Sequence, residues 1–198
     1  MNAATGTGFI AERGADAARD ALFGDSLACD ELRPAAFLPG AIDPASAQAH
    51  GQRAEGLLRA LAVVEDGRGD EPDEHTAADL ALQRIEAKLD LLTALVARLA
   101  HSGHDDPRQS LRWSARGACL PVAEPVPAGT SGSFRIQPAD WLPEPLLLPA
   151  TVLACTGAGE DRRLWLRFGP LSPPLDLALE RHLFRVHRRE IAERRRPR

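Results

Sequence analysis

One long heptad-repeat segment limits the possible folds of this chain more than any other feature. Residues 76–103 read TAADLALQRIEAKLDLLTALVARLAHSG. Thr76 and Asp79 have the spacing of a capping box, which favours a helix start, and Gly103 favours a helix end. Between them, apolar residues recur in alternating steps of four and three, as in a coiled-coil seam. The seam positions are Ala78, Leu82, Ile85, Leu89, Leu92, Val96 and Leu99.

The seam predicts self-association, because the rest of the chain offers few apolar faces that could cover it. The alternative is a long helix that packs on its own domain. Leu91 and Leu95 widen the apolar stripe beyond a two-stranded seam. Leucine and isoleucine at neighbouring seam positions favour four strands, whereas the valine and leucine that end the seam favour two. We therefore expect a homo-oligomer, and a tetramer in preference to a dimer.

The composition is that of a folded protein, with 198 residues, 44% hydrophobic and 26% charged. No apolar run has the length of a membrane span, and the N-terminus has acidic residues where a signal peptide needs an apolar core. We expect a cytoplasmic protein. Cys29, Cys119 and Cys155 form no C-x-x-C pair. They are predicted to be buried free thiols, and neither a disulfide framework nor a zinc site.

The net charge of −4 hides an uneven distribution. Residues 1–106 carry 9 Lys/Arg against 19 Asp/Glu, whereas residues 107–198 carry 15 Arg against 9 Asp/Glu. Such a division indicates either two halves that attract each other or an anionic partner for the basic half. Nucleic acid is disfavoured as that partner, because the chain has no tyrosine and only three tryptophans to stack on bases.

Three regions follow from local patterns. Residues 1–43 are predicted to be an extended segment, in which proline-broken apolar runs over 22–42 leave room for one strand. Residues 44–106 are predicted to form a two-helix oligomerisation region, whose first helix starts at Asp43–Pro44 and runs to Asp66. From Pro107 to the end, short alternating stretches between turn signals predict a small antiparallel barrel or sandwich. Ser172 before Pro173 then starts a final helix, so the fold class is α+β.

Signals for catalysis are missing from the sequence. There is no G-x-S-x-G, H-E-x-x-H or P-loop, and no motif places a histidine to activate Ser114. His101 and His104, with Asp105 and Asp106, could bind a metal, but histidines at a helix end commonly face the carbonyl dipole. We expect a non-enzymatic protein with no metal and no cofactor.

The stretch 108–120, RQSLRWSARGACL, contains Ser114 and Gly117 just before an apolar strand. This pattern resembles the D/N-x-S-x-x-G motif of PilZ domains, the cyclic di-GMP receptor family. The Phe- and Arg-rich segment 179–192 resembles the closing helix of that family, and WLRFGPLSPP resembles the strand and turn before it. The resemblance extends from Pro107 to the end. It implies a six-stranded antiparallel barrel with a helix across one end.

The motif departs from the family pattern in its arginines. Typical members carry R-x-x-x-R upstream of the first strand, whereas here Arg108 and Arg112 have that spacing but adjoin the serine motif. Arg112 occupies the position of the expected Asp or Asn, which reverses charge and hydrogen-bond polarity. Either the motif is degenerate and serves the barrel, or Arg108, Arg116 or the C-terminal arginines form a rearranged site. The candidate ligand-binding residues are Arg108, Arg112, Ser114, Arg116 and Gly117.

The whole arrangement resembles the atypical PilZ proteins of xanthomonads and related bacteria, in which added helices drive tetramer formation. The resemblance implies that residues 22–42 supply the first barrel strand. It implies a scaffold or regulatory protein of cyclic di-GMP signalling that assembles through the seam and presents the barrel to an unidentified protein partner. Cyclic di-GMP binding would be weak or absent; the alternative is a working receptor. Motility, type IV pili and virulence are the processes that the resemblance suggests.

Overall fold

A computed structural model describes residues 4–66, 81–82, 84–92, 96, 106–142 and 144–195. The helices are α1 (Ala4–Phe23), α2 (Pro44–Asp66), α3 (the helical residues 81–82, 84–92 and 96 of the heptad segment) and α4 (Pro173–Arg194). The strands are β1 (Ala28–Pro39), β2 (Arg108–Ser114), β3 (Gly117–Pro121), β4 (Ser131–Ile136), β5 (Leu146–Thr156) and β6 (Arg163–Phe168).

The six strands close into an antiparallel barrel in the order β1-β2-β3-β6-β5-β4. Strand β1 closes it, because its first half pairs with β2 and its second half with β4. The pairing passes from one neighbour to the other between Pro34 and Ala35. The six-stranded barrel with a C-terminal helix is therefore confirmed. Its first strand comes from the segment 22–42, so the barrel includes residues far upstream of Pro107.

The expectation of an extended N-terminal segment was wrong for Ala4–Phe23, which form α1. Helix α1 lies on β5, β6 and β2. Ala18 and Leu22, one helical turn apart, are buried against Trp165 on the outer side of the barrel. Tertiary packing of this short apolar face stabilises the helix, whose glycine-containing sequence lacks a strong periodic pattern.

The main core lies inside the barrel and continues under α2 and α4. Trp113, Phe134 and Leu166 are fully buried in it. Leu175, Leu179 and Leu183 of α4 join the same core, and α2 packs against α4 and β5. Helix α2 has the predicted limits, and α4 starts at the predicted residue. Ser172 caps α4 by accepting a hydrogen bond from the Leu175 amide at 3.4 Å.

Helix α3 has two apolar faces with different surroundings. Ala87 and Leu91 are each 5% exposed and belong to the core of their own chain. Leu91 therefore does not widen the seam, as the sequence suggested; Leu95, Ala78 and Leu99 lie outside the described residues. The other seam side chains point outward and are 54–63% exposed: Leu82, Ile85, Leu89, Leu92 and Val96.

The three cysteines are free thiols. Cys29 is buried, and its Sγ donates a hydrogen bond to the Leu183 carbonyl at 3.4 Å. Cys119 and Cys155 are only half-buried, so the expectation of full burial was wrong for these two. Burial raises the pKa of Cys29 to about 12 and that of Cys119 to about 11. Both thiols are therefore protonated at neutral pH and are poor nucleophiles.

A buried histidine lies between α4 and the barrel. His182 is 1% exposed, and its ring is 5.8 Å from the Trp113 ring, centroid to centroid. Neither ring nitrogen has a hydrogen-bond partner among the described residues. Burial, reinforced by the positive charge of Arg185, lowers the pKa of His182 to about 3. The imidazole is therefore neutral in the folded protein.

This burial predicts that acid destabilises the fold through His182. In the unfolded chain a histidine has a pKa of about 6.5, so between about pH 6.5 and pH 3 the unfolded state binds the extra proton. The free energy of unfolding should fall as the pH drops through this window. In His182→Leu this loss should be smaller, as measured by denaturant unfolding at a series of pH values. Phe184→Leu, at an exposed position of the same helix, is the control and should keep the wild-type slope because it removes no titratable group. Identical slopes in all three proteins would contradict the assignment.

Candidate functional site

The serine of the motif is fully buried at the end of β2, where it contacts α1. The Ser114 hydroxyl donates a hydrogen bond to the Leu22 carbonyl at 2.7 Å and accepts one from the Arg116 amide at 3.0 Å. The Leu22 carbonyl is one of the last carbonyls of α1, which have no partner within the helix. Ser114 therefore ties the C-terminal turn of α1 to the β2–β3 turn.

Gly117 pairs with Ser114 across the same turn and leaves space for α1. A Cβ at this position would lie 2.6 Å from the Leu22 Cδ2 atom and 2.0 Å from the Leu166 carbonyl oxygen. Both distances are far below van der Waals contact. Only glycine allows the leucine of α1 and strand β6 to approach β3 this closely.

Arg112, at the position expected for Asp or Asn, points toward the end of α1. Its Nη1 atom is 3.2 Å from Asp30 Oδ2, and its guanidinium lies 5.4 Å from the centroid of the Phe23 ring. The ion pair is half-exposed and contributes at most about 1 kcal/mol. Arg112, Ser114 and Gly117 thus all contact the chain's own residues 22–30.

Arg108 is separated from the other candidate residues. Six residues of strand place it about 20 Å from Ser114 along β2. There its Nη2 atom is 3.0 Å from Asp140 Oδ1. Asp140 also pairs with Arg33, which in turn bonds to Glu31. Arg108 therefore belongs to an ion-pair network at the opposite end of the strand.

A cavity of about 850 Å³ opens beside the β2–β3 turn. It is bounded by the α1–β1 linker at Asp25, Ser26 and Leu27, by the turn, and by one side of α4. Of the predicted candidates, Arg116 alone is among its lining residues. The arginines that line it are Arg116, Arg181, Arg185 and Arg188.

The cavity also carries acidic and aromatic groups. Asp25, Asp176 and Glu180 contribute three carboxylates, so the cavity has mixed charge. Phe184 is exposed, and the Arg188 guanidinium lies 6.0 Å from the centroid of its ring. Such a cavity can bind a ligand that has both a planar ring and negative charge. The C-terminal arginines were predicted as a group to be one possible part of a rearranged site, but Arg181, Arg185 and Arg188 were not singled out. Their spacing of four and three residues was the signal that they share one helix face.

Other classes of site find no support in the described part of the chain. No group of three or more His, Cys, Asp or Glu there could hold a metal ion. His101, His104 and Asp105 lie outside that part, and Asp106 is bound by Arg135. None of the described helices is long and apolar enough to cross a membrane.

The contact between α1 and the motif predicts that Gly117→Ala is strongly destabilising. The added methyl group would collide with the Leu166 backbone, which cannot move away without disturbing the barrel, so we expect a loss of about 1–3 kcal/mol or more. Gly56→Ala in α2 is the matched control, because a Cβ there has no atom within 4 Å. It should stabilise the protein by about 0.5–1 kcal/mol. Denaturant unfolding measures both changes, and equal stability of the two variants would refute the close approach.

A family model and a solved structure identify the family of this chain. A family model described as the atypical PilZ domain, a cyclic di-GMP receptor, matches residues 58–196. A crystal structure of a pathogenic protein from Xanthomonas campestris, described as a tetrameric PilZ domain self-assembled through an unusual helical bundle, is 44% identical. The match covers 91% of this chain and 98% of that one, with a TM-score of 0.71.

The motility inhibitor of Bacillus subtilis matches 44% of this chain and 45% of its own at 18% identity and a TM-score of 0.36. No curated protein matches significantly. With its closed barrel, the family-model match over residues 58–196 and the 44% identity to the Xanthomonas campestris protein, the chain belongs to the atypical PilZ domain family.

Proposed function

We propose that this protein is a non-enzymatic scaffold or regulator of cyclic di-GMP signalling that self-assembles through α3. In this proposal the nucleotide motif is degenerate, and cyclic di-GMP binding is weak or absent. The barrel presents its surface to a protein partner. We place the protein in the cytoplasm, a reducing compartment in which its three thiols would stay free.

The outward stripe of α3 carries this proposal. Five large apolar side chains of the stripe are more than half exposed, while Ala87 and Leu91 on the other side of the helix are already buried. Monomeric proteins rarely expose a continuous apolar patch of this kind. Full burial of each Leu, Ile or Val side chain contributes about 1.5–3 kcal/mol. Association through the stripe therefore has a substantial driving force.

The tetrameric state is supported by the similar Xanthomonas campestris protein, which is described as assembling through a helical bundle. The identity of 44% extends over 91% of this chain. Leu91 no longer supports four strands, because it is buried in its own chain. The order of leucine and isoleucine at Leu82 and Ile85 still favours four strands. We propose the same assembly here.

Weak or absent nucleotide binding is supported by the contacts of the motif. The Ser114 hydroxyl is engaged by Leu22 and Arg116, and it has no exposed surface. Phosphate binding at this hydroxyl would require the breaking of its hydrogen bond to α1. Arg112 supplies positive charge beside Asp30 and Phe23, where the family pattern has an acceptor. The motif residues therefore have a structural role in this chain.

The assembly proposal predicts monomers when charge is placed on the stripe. The double variant Leu89→Glu/Leu92→Glu puts two carboxylates in the apolar interface, where each would have to be buried without a partner. Its mass in solution, measured by light scattering after gel filtration, should fall to about 21 kDa from the oligomer mass. Leu32→Glu is the control, because Leu32 on β1 is equally exposed but lies outside α3. An unchanged mass of the double variant would exclude the stripe as the interface.

A second candidate function, a receptor with a rearranged arginine site, is favoured by the 850 Å³ cavity. Arg116, Arg181 and Arg188 could contact phosphates, and the exposed Phe184 ring could stack on a base. Arg108 would contribute nothing to this site, because it lies at the far end of β2. The three carboxylates in the lining oppose a dianionic ligand.

Calorimetric titration with cyclic di-GMP at moderate salt separates the two functions. The scaffold proposal predicts no saturable heat. Saturable binding that is lost in Arg116→Ala and kept in Arg108→Ala would instead establish a rearranged receptor. The second variant is the matched control, because Arg108 is also an exposed arginine beside a carboxylate.

A further inference from the structure

A second concave surface lies between α2 and α4. This groove encloses about 400 Å³. Its floor contains Leu58, which is buried, together with Ala62 and Ala178. Leu177 forms one wall, and 47% of its surface is exposed to solvent. The groove is therefore apolar at its base and open to solvent.

The charged side chains among the described lining residues of the groove are all basic. Arg59, Arg181 and Arg185 line it, and none of its described lining residues is acidic. Arg59 is held by Glu55 at 2.6 Å, one turn earlier on α2, and Arg185 is 3.4 Å from Glu65. Both glutamates lie outside the lining. Arg181 is exposed and forms no salt bridge with another described residue. Arg181 thus adds positive charge beside the apolar floor, whereas Arg59 and Arg185 are already paired with glutamates.

We propose that the α2–α4 groove binds a short acidic segment of a partner protein. A bulky apolar side chain of the segment enters between Leu58 and Leu177, and its flanking carboxylates pair with Arg59 and Arg181. Guanidinium groups bind carboxylates through paired hydrogen bonds, and an amphipathic helix that lies in a groove presents both groups at the required spacing. The small contact area implies a weak and reversible interaction.

This groove is distinct from the cavity beside the serine motif. The two lie on neighbouring faces of α4, and Arg181 and Arg185 are the described lining residues that they share. Arg59 belongs to the groove alone, and Arg116 to the cavity alone. The groove has no exposed aromatic ring for a base, and its apolar floor suits an aliphatic or aromatic side chain. A peptide therefore fits it better than a nucleotide does.

The inference rests on the proposed function only in giving the scaffold a surface for its partner, and it does not depend on assembly through α3. The outward stripe on α3 and the groove share no residue. The monomeric Leu89→Glu/Leu92→Glu variant should therefore bind an acidic peptide as the wild-type chain does. The oligomer mass therefore tests the assembly proposal, and peptide binding tests the groove proposal independently.

The test is fluorescence anisotropy of the full chain with one defined probe, a fluorescein-labelled helical peptide with leucines on one face and glutamates elsewhere. Binding should be saturable and about tenfold weaker in Arg181→Glu and in Leu177→Asp, a change of about 1.4 kcal/mol. Arg59→Gln, a milder change at a position exclusive to the groove, should also weaken it. Arg116→Glu is the matched control and should leave it unchanged. A probe with lysine in place of glutamate should not bind.

Three results would overturn the proposal. The first is no binding of the glutamate probe at its highest soluble concentration. The second is binding that Arg181→Glu, Leu177→Asp and Arg59→Gln all leave unchanged, which would place the peptide elsewhere. The third is a lower oligomer mass of Leu177→Asp, which would assign the groove to a second copy of this chain.

Discussion

The hydrogen bond between the Ser114 hydroxyl and the Leu22 carbonyl connects the barrel to helix α1. Both groups are buried, so loss of either partner would leave a polar atom without water or protein to bind it. The bond holds α1 on the barrel, where its side chains cover Trp165 and form a second apolar core. It also sets the course of the linker into β1, the strand that closes the barrel between β2 and β4. The cavity beside the turn exists because this linker runs past it.

The helices differ in what they do for the barrel. Helix α1 covers the outer side of β5 and β6, while α2 and α4 extend the main core. Helix α4 buries one face in the core, and its Arg181 and Arg185 line both the cavity and the groove, whereas Phe184 lines the cavity. Glu65 at the end of α2 pairs with Arg185 and Arg189, which fixes α2 against α4. Helix α3 packs on the core through Ala87 and Leu91, and its apolar stripe faces outward. The outward stripe of α3 and the α2–α4 groove are therefore separate surfaces of the chain.

Family membership establishes the fold of this chain, but it does not establish a ligand site. The spacing of Ser114 and Gly117 is retained, but both residues support α1, one by a hydrogen bond and one by the absence of a side chain. Arg112 replaces an acceptor with a donor and pairs with Asp30. Ser114 and Gly117 thus have packing roles in this chain that do not depend on a ligand. Whether a motif residue serves packing or ligand binding depends on the atoms that it contacts, and the spacing of the motif in the sequence does not show this.

The sequence by itself determined what depends on local patterns. Helix α2 starts at a carboxylate followed by proline, α4 starts at a capping serine, and alternating apolar residues marked the barrel strands, all as predicted. Tertiary structure decided what depends on contacts between distant residues. Helix α1 has a weak pattern of its own and is stabilised by Leu22 against Gly117, nearly a hundred residues away. Leu91 was predicted to widen the outward apolar stripe, yet it faces the core of its own chain, because periodicity shows that a face is apolar and not what covers it. The cavity and the groove likewise combine residues from α4 with the β2–β3 turn or α2, and only the folded chain brings these together.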